Sequence, residues 1–227
     1  MKAVALVFAA VVATYAVAFR PDLADSSGFY VAFGVPHLVL AAFAAQSLAR
    51  RGKLVPKLMP KAGDLSLGAL AGFALLVASW AARSVLTPAA SPRQNWLLRL
   101  YLQLGDPEKL QHSVFLTVAL SAIVVAEELV WRGFVLDAAT ERFGTRRGWL
   151  VAAGLYALAA LPTVYLQRDP VAGLNPLLVM AAFGCGLVWT FLSGRFGRLL
   201  PSTVAHLVFT YFSATQFQLP LLPRGSM

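Results

Sequence analysis

Long apolar runs alternate with short polar or basic segments along the whole chain. A run of about 20 apolar residues crosses a bilayer as one helix, so each run predicts a transmembrane span. The pattern predicts seven spans, at residues 3–19, 29–48, 65–80 or 65–86, 114–137, 149–166, 174–192 and 199–217. The first run also resembles a secretory signal peptide, but because further runs follow it we interpret it as a retained signal anchor.

The third and fourth runs are separated by a polar connection, residues 88–112. Within it, apolar and polar residues interleave over 93–104, which is typical of an interfacial helix on the membrane surface or of a loop helix packed on protein. Insertion of this segment as an eighth span is a third alternative. Further on, Asp106-Pro107-Glu108 predicts a helix start, with Asp106 as N-cap and Pro107 at the first helical position.

Composition supports an all-α, polytopic membrane helical bundle. Of the 227 residues, 59% are hydrophobic and only 13% are charged, with a mean hydropathy of +0.70, which excludes an ordinary soluble domain. No repeat or composition shift divides residues 1–227, so we expect one integral membrane domain. The net charge of +9 does not indicate nucleic-acid binding, because the Lys and Arg residues lie between apolar runs. The single cysteine, Cys185, rules out an intrachain disulfide.

The basic residues predict the orientation of the bundle. Five of them follow the second run with no acidic residue among them: Arg50, Arg51, Lys53, Lys57 and Lys61. Cytoplasmic loops carry an excess of Lys and Arg, so this distribution favours a cytoplasmic amino terminus. The lipid bilayer is then the first expected partner, and the bacterial inner membrane is the expected location.

The fourth run contains two adjacent carboxylates and a guanidinium: Glu127, Glu128 and Arg132. Each ionisable group at membrane depth costs roughly 2.5–3.5 kcal/mol on insertion scales, so three within six positions need a reason. Glu128 and Arg132 are four residues apart and share a helix face, which predicts an ion pair. Glu127 points about 100° away from Glu128 and is left without that partner.

A second intramembrane polar residue, His206, lies about two turns into the seventh run, at a depth similar to that of Glu127. A buried carboxylate can take a proton from water, and a nearby histidine can relay it or donate to an oxyanion, so the two could hydrolyse an amide without a metal. The alternative is that Glu127 only bonds helices together. We expect no metal and no cofactor: there is no His-Glu-x-x-His motif, and Cys185, His37 and His112 lack ligand spacing.

Together these features resemble a known family. The Glu127-Glu128-x-x-x-Arg132 motif in a multi-span chain resembles the first motif of the CAAX-protease and bacteriocin-processing family of intramembrane endopeptidases. The stretch 183–206, with its Gly-rich span, basic turn and histidine, is similar to that family's last section. The resemblance covers a core of about 114–212. It implies that Glu127 activates a water, that histidines and an Asn orient the water and stabilise the oxyanion, and that Glu128 and Arg132 hold the geometry.

The sequence departs from this family at two positions. Tyr156 matches the aromatic residue of the second motif, but Ala160 stands where the family has a histidine, and Thr210 stands where it has Asn. Three explanations for Ala160 are open: a subfamily with a rearranged site, a degenerate member that only binds, or an engineered substitution. The ending Leu222-Pro223-Arg224-Gly225-Ser226-Met227 resembles a protease-site scar and keeps the third explanation open.

The function implied is a glutamic-type intramembrane endopeptidase that cleaves a membrane-associated peptide or protein near the cytoplasmic face. Glu127 would be the base, His206 an oxyanion donor or proton relay, and Thr210 an auxiliary donor. The alternatives are an inactive homologue that binds a membrane peptide or partner, and a proton-coupled transporter, against which no repeated halves are seen. If the missing histidine impairs the site, Ala160→His should raise the cleavage rate by two to three orders of magnitude, an estimate of about 3–4 kcal/mol for one oxyanion donor.

Overall fold

The computed structural model of this protein describes residues 1–215, and within them the chain is helical, with no β-strand. The closing segment 222–227, with its scar-like sequence, lies outside the described residues. The helices are α1 Lys2–Ala18, α2 Ser27–Arg50, α3 Leu54–Leu58, α4 Asp64–Leu86, α5 Gln94–Leu104, α6 Pro107–His112, α7 Val114–Glu128, α8 Leu136–Phe143, α9 Thr145–Ala159, α10 Pro162–Leu166, α11 Leu177–Phe196 and α12 Leu200–Thr215.

Five helical segments in residues 1–215 are long and apolar enough to cross a membrane: Ser27–Arg50, Asp64–Leu86, Val114–Phe143, Thr145–Leu166 and Leu177–Phe196. They coincide with the second to sixth predicted spans. The first predicted span is α1, an apolar helix of 17 residues. The seventh begins as α12, and its last residues lie outside the described part of the chain. The helical membrane bundle is therefore confirmed, and the count of seven stays a prediction.

Helix α5 does not form an eighth span. Its 11 residues extend about 17 Å at 1.5 Å per residue, well short of a hydrocarbon core of about 30 Å. It packs on the protein instead: Gln103 donates to the Ala18 carbonyl at 3.0 Å, and the Tyr30 hydroxyl donates to the Leu104 carbonyl at 2.7 Å. Of the alternatives for this segment, these are the contacts of a loop helix packed on protein.

Helix α6 begins where the sequence predicts. Asp106 caps it by accepting from the Glu108 backbone N–H at 2.8 Å, and Pro107 occupies the first turn. This cap satisfies one of the free N–H groups at a helix start.

Helices α7 and α8 are joined without a turn by a π-helical segment, Leu129–Val135, so that residues 114–143 form one continuous rod. Short π segments widen a helix locally and occur often at functional sites. Six of its seven residues, including Arg132, are buried. This widened segment follows directly after Glu127 and Glu128 and lies against α2, α9 and α11.

The basic loops meet at one end of the bundle, as the orientation argument requires. There Lys53 donates to Glu141 at 2.7 Å and to Asp137 at 3.0 Å, and Arg198 pairs with Asp64 at 2.6 Å. The hydrogen bonds to Glu141 and Asp137 raise the pKa of Lys53, because they stabilise the ammonium form. At the opposite end, around α5, Asn95 donates to Asp169 at 3.2 Å, and the longer ion pairs Arg99–Asp169 and Lys109–Asp25 both measure 3.8 Å.

Candidate active site

Glu127 lies on the last turn of α7, with an imidazole ring on each side of its carboxylate. His206 of α12 places its Nε2 atom 3.6 Å from Oε2, and His37 of α2 places its Nε2 atom 3.7 Å from Oε1. The three side chains are 7%, 4% and 0% exposed for Glu127, His206 and His37 respectively. Three separate helices thus bring a carboxylate and two imidazoles together inside the bundle.

Glu128, the next residue, is held by a dense set of polar contacts. Its Oε1 atom lies 2.9 Å from Nδ1 of His206 and 3.3 Å from Nη1 of Arg132, which is the ion pair predicted from their spacing. Its Oε2 atom accepts from the Ser202 hydroxyl at 2.6 Å, and Ser202 in turn lies 2.6 Å from the Ser193 hydroxyl. Glu128 therefore fixes the imidazole that faces Glu127.

Arg132 is fully buried and is held by aromatic faces as well as by Glu128. Its guanidinium carbon lies 4.2 Å from the ring centroid of Tyr156 and 5.1 Å from that of Trp189. Trp189 also stacks on His206, with ring centroids 3.7 Å apart and planes at 22°. Cation–π contacts of this kind strengthen when desolvated, so Tyr156 and Trp189 stabilise a charge that has little hydrogen bonding. Among the described residues, none of the three guanidinium nitrogens has a hydrogen-bond partner.

The two positions that depart from the family pattern lie in different surroundings. Ala160 is fully buried where α9 ends, and it follows Tyr156 by one turn, on the side of the helix that contacts Arg132. Thr210 lies one turn after His206 on α12 and is partly exposed. Within residues 1–215, its hydroxyl makes no side-chain hydrogen bond. Its donor is therefore free for another group.

Sequence reasoning missed His37 as a member of this group. The sequence did single out His37, because a polar residue in an apolar span is costly and therefore suggests a function. It could not pair His37 with Glu127, because the two are on different helices far apart in the sequence. The structure explains the approach: an added Cβ at Gly34 would lie 3.3 Å from the Ile123 side chain, so α2 and α7 nearly touch there. One turn further along both helices, the same close packing brings His37 to Glu127.

The hydrogen bonds on the far side of each imidazole define its chemistry. Nδ1 of His37 lies 2.7 Å from the Phe33 carbonyl oxygen, which can only accept, so Nδ1 carries the proton. Nδ1 of His206 donates in the same way to the Glu128 carboxylate. In the neutral rings, both Nε2 atoms therefore present lone pairs to Glu127. When Glu127 is ionised, the centre of the site is therefore a group of hydrogen-bond acceptors, which a donor such as water can satisfy.

In the described part of the chain, no group of three or more His, Cys, Asp or Glu side chains is arranged to hold a metal ion. Glu127 and His206 face each other, as their matching depths predicted. That they share a cavity open toward the cytoplasm, with Ala160 in its wall, stays a prediction.

Comparison with known proteins adds one family. Residues 109–212 match the family model described as type II CAAX prenyl endopeptidase, Rce1-like. No curated protein matches this chain, and no solved structure matches it.

The fold and the buried carboxylate–imidazole cluster define a helical integral membrane protein with ionisable groups enclosed between its helices. Within that class, residues 109–212 are similar to the Rce1-like type II CAAX prenyl endopeptidases, which confirms the resemblance drawn from the motifs. The match includes Glu127, Glu128, Arg132, Ala160, His206 and Thr210. It does not include α2, and so leaves out His37.

Proposed function

We propose that this protein is a glutamic-type intramembrane endopeptidase that hydrolyses a peptide bond of a membrane-associated peptide or protein. The observation that carries the proposal is the Glu127 carboxylate facing Nε2 of His206 at 3.6 Å, with that imidazole fixed from behind by Glu128. A buried carboxylate beside an oriented histidine is the arrangement that general acid–base hydrolysis needs.

The reaction proceeds through Glu127 as base. A water oxygen attacks the scissile carbonyl carbon while Glu127 takes one of its protons, and the carbonyl oxygen becomes an oxyanion. Glu127 then returns the proton to the amide nitrogen as the C–N bond breaks, giving a carboxylic acid and an amine. His206 relays this proton through Nε2, and the Glu128 carboxylate balances the charge that reaches the ring. In its protonated form, Nε2 also donates to the oxyanion.

Two further groups support this chemistry. The free hydroxyl of Thr210, one turn after His206, serves as an auxiliary donor to the oxyanion. Arg132, between Tyr156 and Trp189, keeps Glu128 ionised and in place. The orientation from the basic loops puts the cleavage near the cytoplasmic face, in a bacterial inner membrane with the amino terminus inside.

The test is cleavage by the purified full chain in liposomes, with two probes. One probe is a fluorescence-quenched farnesylated peptide ending in a CAAX sequence. The other is a library of unprenylated single-span peptides with randomised membrane-proximal segments, whose products are sequenced by mass spectrometry. We expect cleavage of at least one probe, and a loss of about 10²–10⁴-fold in Glu127→Gln, which keeps the volume and removes the base. Glu108→Gln, on the exposed side of α6, is the matched control and should cleave normally.

Full activity in Glu127→Gln would refute the glutamic mechanism. Activity that a chelator removes and Zn²⁺ restores would indicate metal chemistry instead. The second candidate, an inactive homologue that binds a membrane peptide, is favoured by one observation, Ala160 at the position of the family histidine. Peptide capture by the unmodified chain without cleavage of either probe would select it.

A further inference from the structure

His37 lies outside the segment that matches the family, and the structure nevertheless aims it at Glu127. Its side chain is completely buried on α2, and its Nε2 atom is 3.7 Å from Oε1 of Glu127. Pro36, the preceding residue of α2, has no N–H to donate to the Ala32 carbonyl, and the Phe33 carbonyl accepts from the His37 ring. Because that bond fixes the proton on Nδ1, a lone pair on Nε2 faces the carboxylate.

Both facing atoms lack a hydrogen-bond partner among residues 1–215: Nε2 of His37 and Oε1 of Glu127. With Glu127 ionised, as its role of base requires, both atoms are acceptors and cannot satisfy each other, and 3.7 Å is in any case too long for a direct hydrogen bond. Buried polar atoms in folded proteins are nearly always paired, with protein or with ordered water. One water at about 2.8 Å from each atom donates one hydrogen bond to each, so that both buried atoms have a partner.

We propose that His37 is the second histidine of the active site and that, with Glu127, it holds the nucleophilic water by accepting its two protons. The inference rests on the endopeptidase function proposed above. It supplies from α2 the imidazole that Ala160 does not supply from α9. His37 is thereby a catalytic residue, since it contacts the reacting water.

This arrangement orients the water for attack. With both protons bonded, the lone pairs of the water oxygen point away from Glu127 and His37, toward the substrate carbonyl. As the C–O bond forms, one proton passes to Glu127, and the other stays on the new hydroxyl, bonded to Nε2 of His37. Glu127 then gives its proton to the leaving nitrogen, so His37 is unchanged at the end of the cycle.

Asn and Gln each carry an amide near one of the two ring nitrogens of histidine, so the two substitutions test the nitrogens separately. His37→Asn keeps a group near Nδ1 for the Phe33 carbonyl and loses the group that faces Glu127. His37→Gln places an amide oxygen near the Nε2 position. We expect about a 10²-fold loss of cleavage rate in His37→Asn, and a smaller loss in His37→Gln. His112→Asn, at an exposed position of α6, is the matched control and should change nothing.

A second set of variants moves the imidazole from α2 to α9. Ala160→His alone should change the rate little, because His37 already fills the role; this replaces the sequence-based expectation of a large gain. In the His37→Asn background, Ala160→His should restore at least tenfold. Melting temperatures in detergent are recorded for every variant, so that a folding defect is not taken for a catalytic one.

The outcomes separate this inference from the proposed function. If the unmodified chain cleaves and Glu127→Gln does not, a full rate in His37→Asn overturns the inference alone. If no probe is cleaved, ¹⁵N NMR of labelled histidine in nanodiscs decides it. The expected His37 signal is that of a ring protonated on Nδ1, whose Nε2 resonance moves in Glu127→Gln. An Nε2 resonance that ignores Glu127 would overturn the inference.

Discussion

At the scale of single residues, two adjacent carboxylates have opposite surroundings. Glu128 accepts from Ser202 and His206 and pairs with Arg132, whereas Glu127 has no contact shorter than 3.6 Å to its two imidazoles. The two side chains point about 100° apart on the helix, so Glu128 has the contacts of a structural anion, whereas Glu127 has only the two imidazoles beside it. Because Glu128 has the most partners, we assign to it the role of positioning His206.

This division predicts the behaviour of Glu128→Gln. The substitution leaves the Arg132 guanidinium buried without its counter-ion, a loss of about 3–5 kcal/mol in the free energy of unfolding. We expect lower yield and a lower melting temperature in detergent, together with reduced cleavage because His206 loses its anchor. Ser202→Ala removes one hydroxyl hydrogen bond to the same carboxylate, leaves the ion pair with Arg132 in place and should cost less, about 1.5–3 kcal/mol. A fully stable but inactive Glu128→Gln protein would exchange the roles of the two glutamates.

At the scale of helices, the position of His206 depends on how closely α12 approaches α4. An added Cβ at Gly68 would lie 2.6 Å from Cβ of Val204 and 2.7 Å from the Pro201 carbonyl oxygen. At Gly72, one turn later, it would lie 2.8 Å from Val208. Two glycines on one face of α4 therefore allow the close approach of α12, the helix that carries His206.

We therefore expect Gly68→Ala to destabilise the bundle by about 1–3 kcal/mol through overpacking, and to lower activity by shifting α12. Gly154→Ala on α9 is the matched control, because nothing lies within 4 Å of its added Cβ. Alanine also forms helix better than glycine, so the control should be neutral or slightly stabilising. Equal melting temperatures for the two variants would show that α4 and α12 are not this tightly packed in the membrane.

Helices were also the scale at which sequence reasoning was most reliable. Apolar length located the five long spans, because burial in lipid leaves little choice but a helix. Spacing along one helix gave the Glu128–Arg132 pair. The π segment after Glu128 could not be foreseen, since its residues are as apolar as those of an α-helix. The contact between His37 and Glu127 was equally hidden, because it depends on which helices pack together.

At the scale of the whole molecule, the closest ion pairs between segments distant in sequence lie at one end of the bundle, and those at the other end are longer. Lys53 with Asp137 and Glu141, and Arg198 with Asp64, join loops that are distant in sequence. These are the loops in which the sequence concentrates its Lys and Arg residues. The packing of the bundle and the distribution of basic residues therefore agree on which of these loops share a side.

This agreement predicts the outcome of cysteine labelling in a Cys185→Ala background. Arg146→Cys, in the first turn of α9, should be protected from a membrane-impermeant maleimide added outside intact cells or spheroplasts. Arg168→Cys, beyond the far end of α10, should be labelled. Both positions are exposed in the folded chain, so any difference reports the side of the membrane. The reverse pattern would place the amino terminus outside.

The close passage of α2 at Gly34 has a consequence for sorting active enzymes from pseudoenzymes. A survey that requires a histidine at the position of Ala160 places this chain among the pseudoenzymes. The packed bundle, however, holds an imidazole beside Glu127 from a helix that the family match does not include. The groups that surround a buried carboxylate in such a membrane protein are therefore read from the assembled helices, because a side chain far away in the sequence can lie beside it.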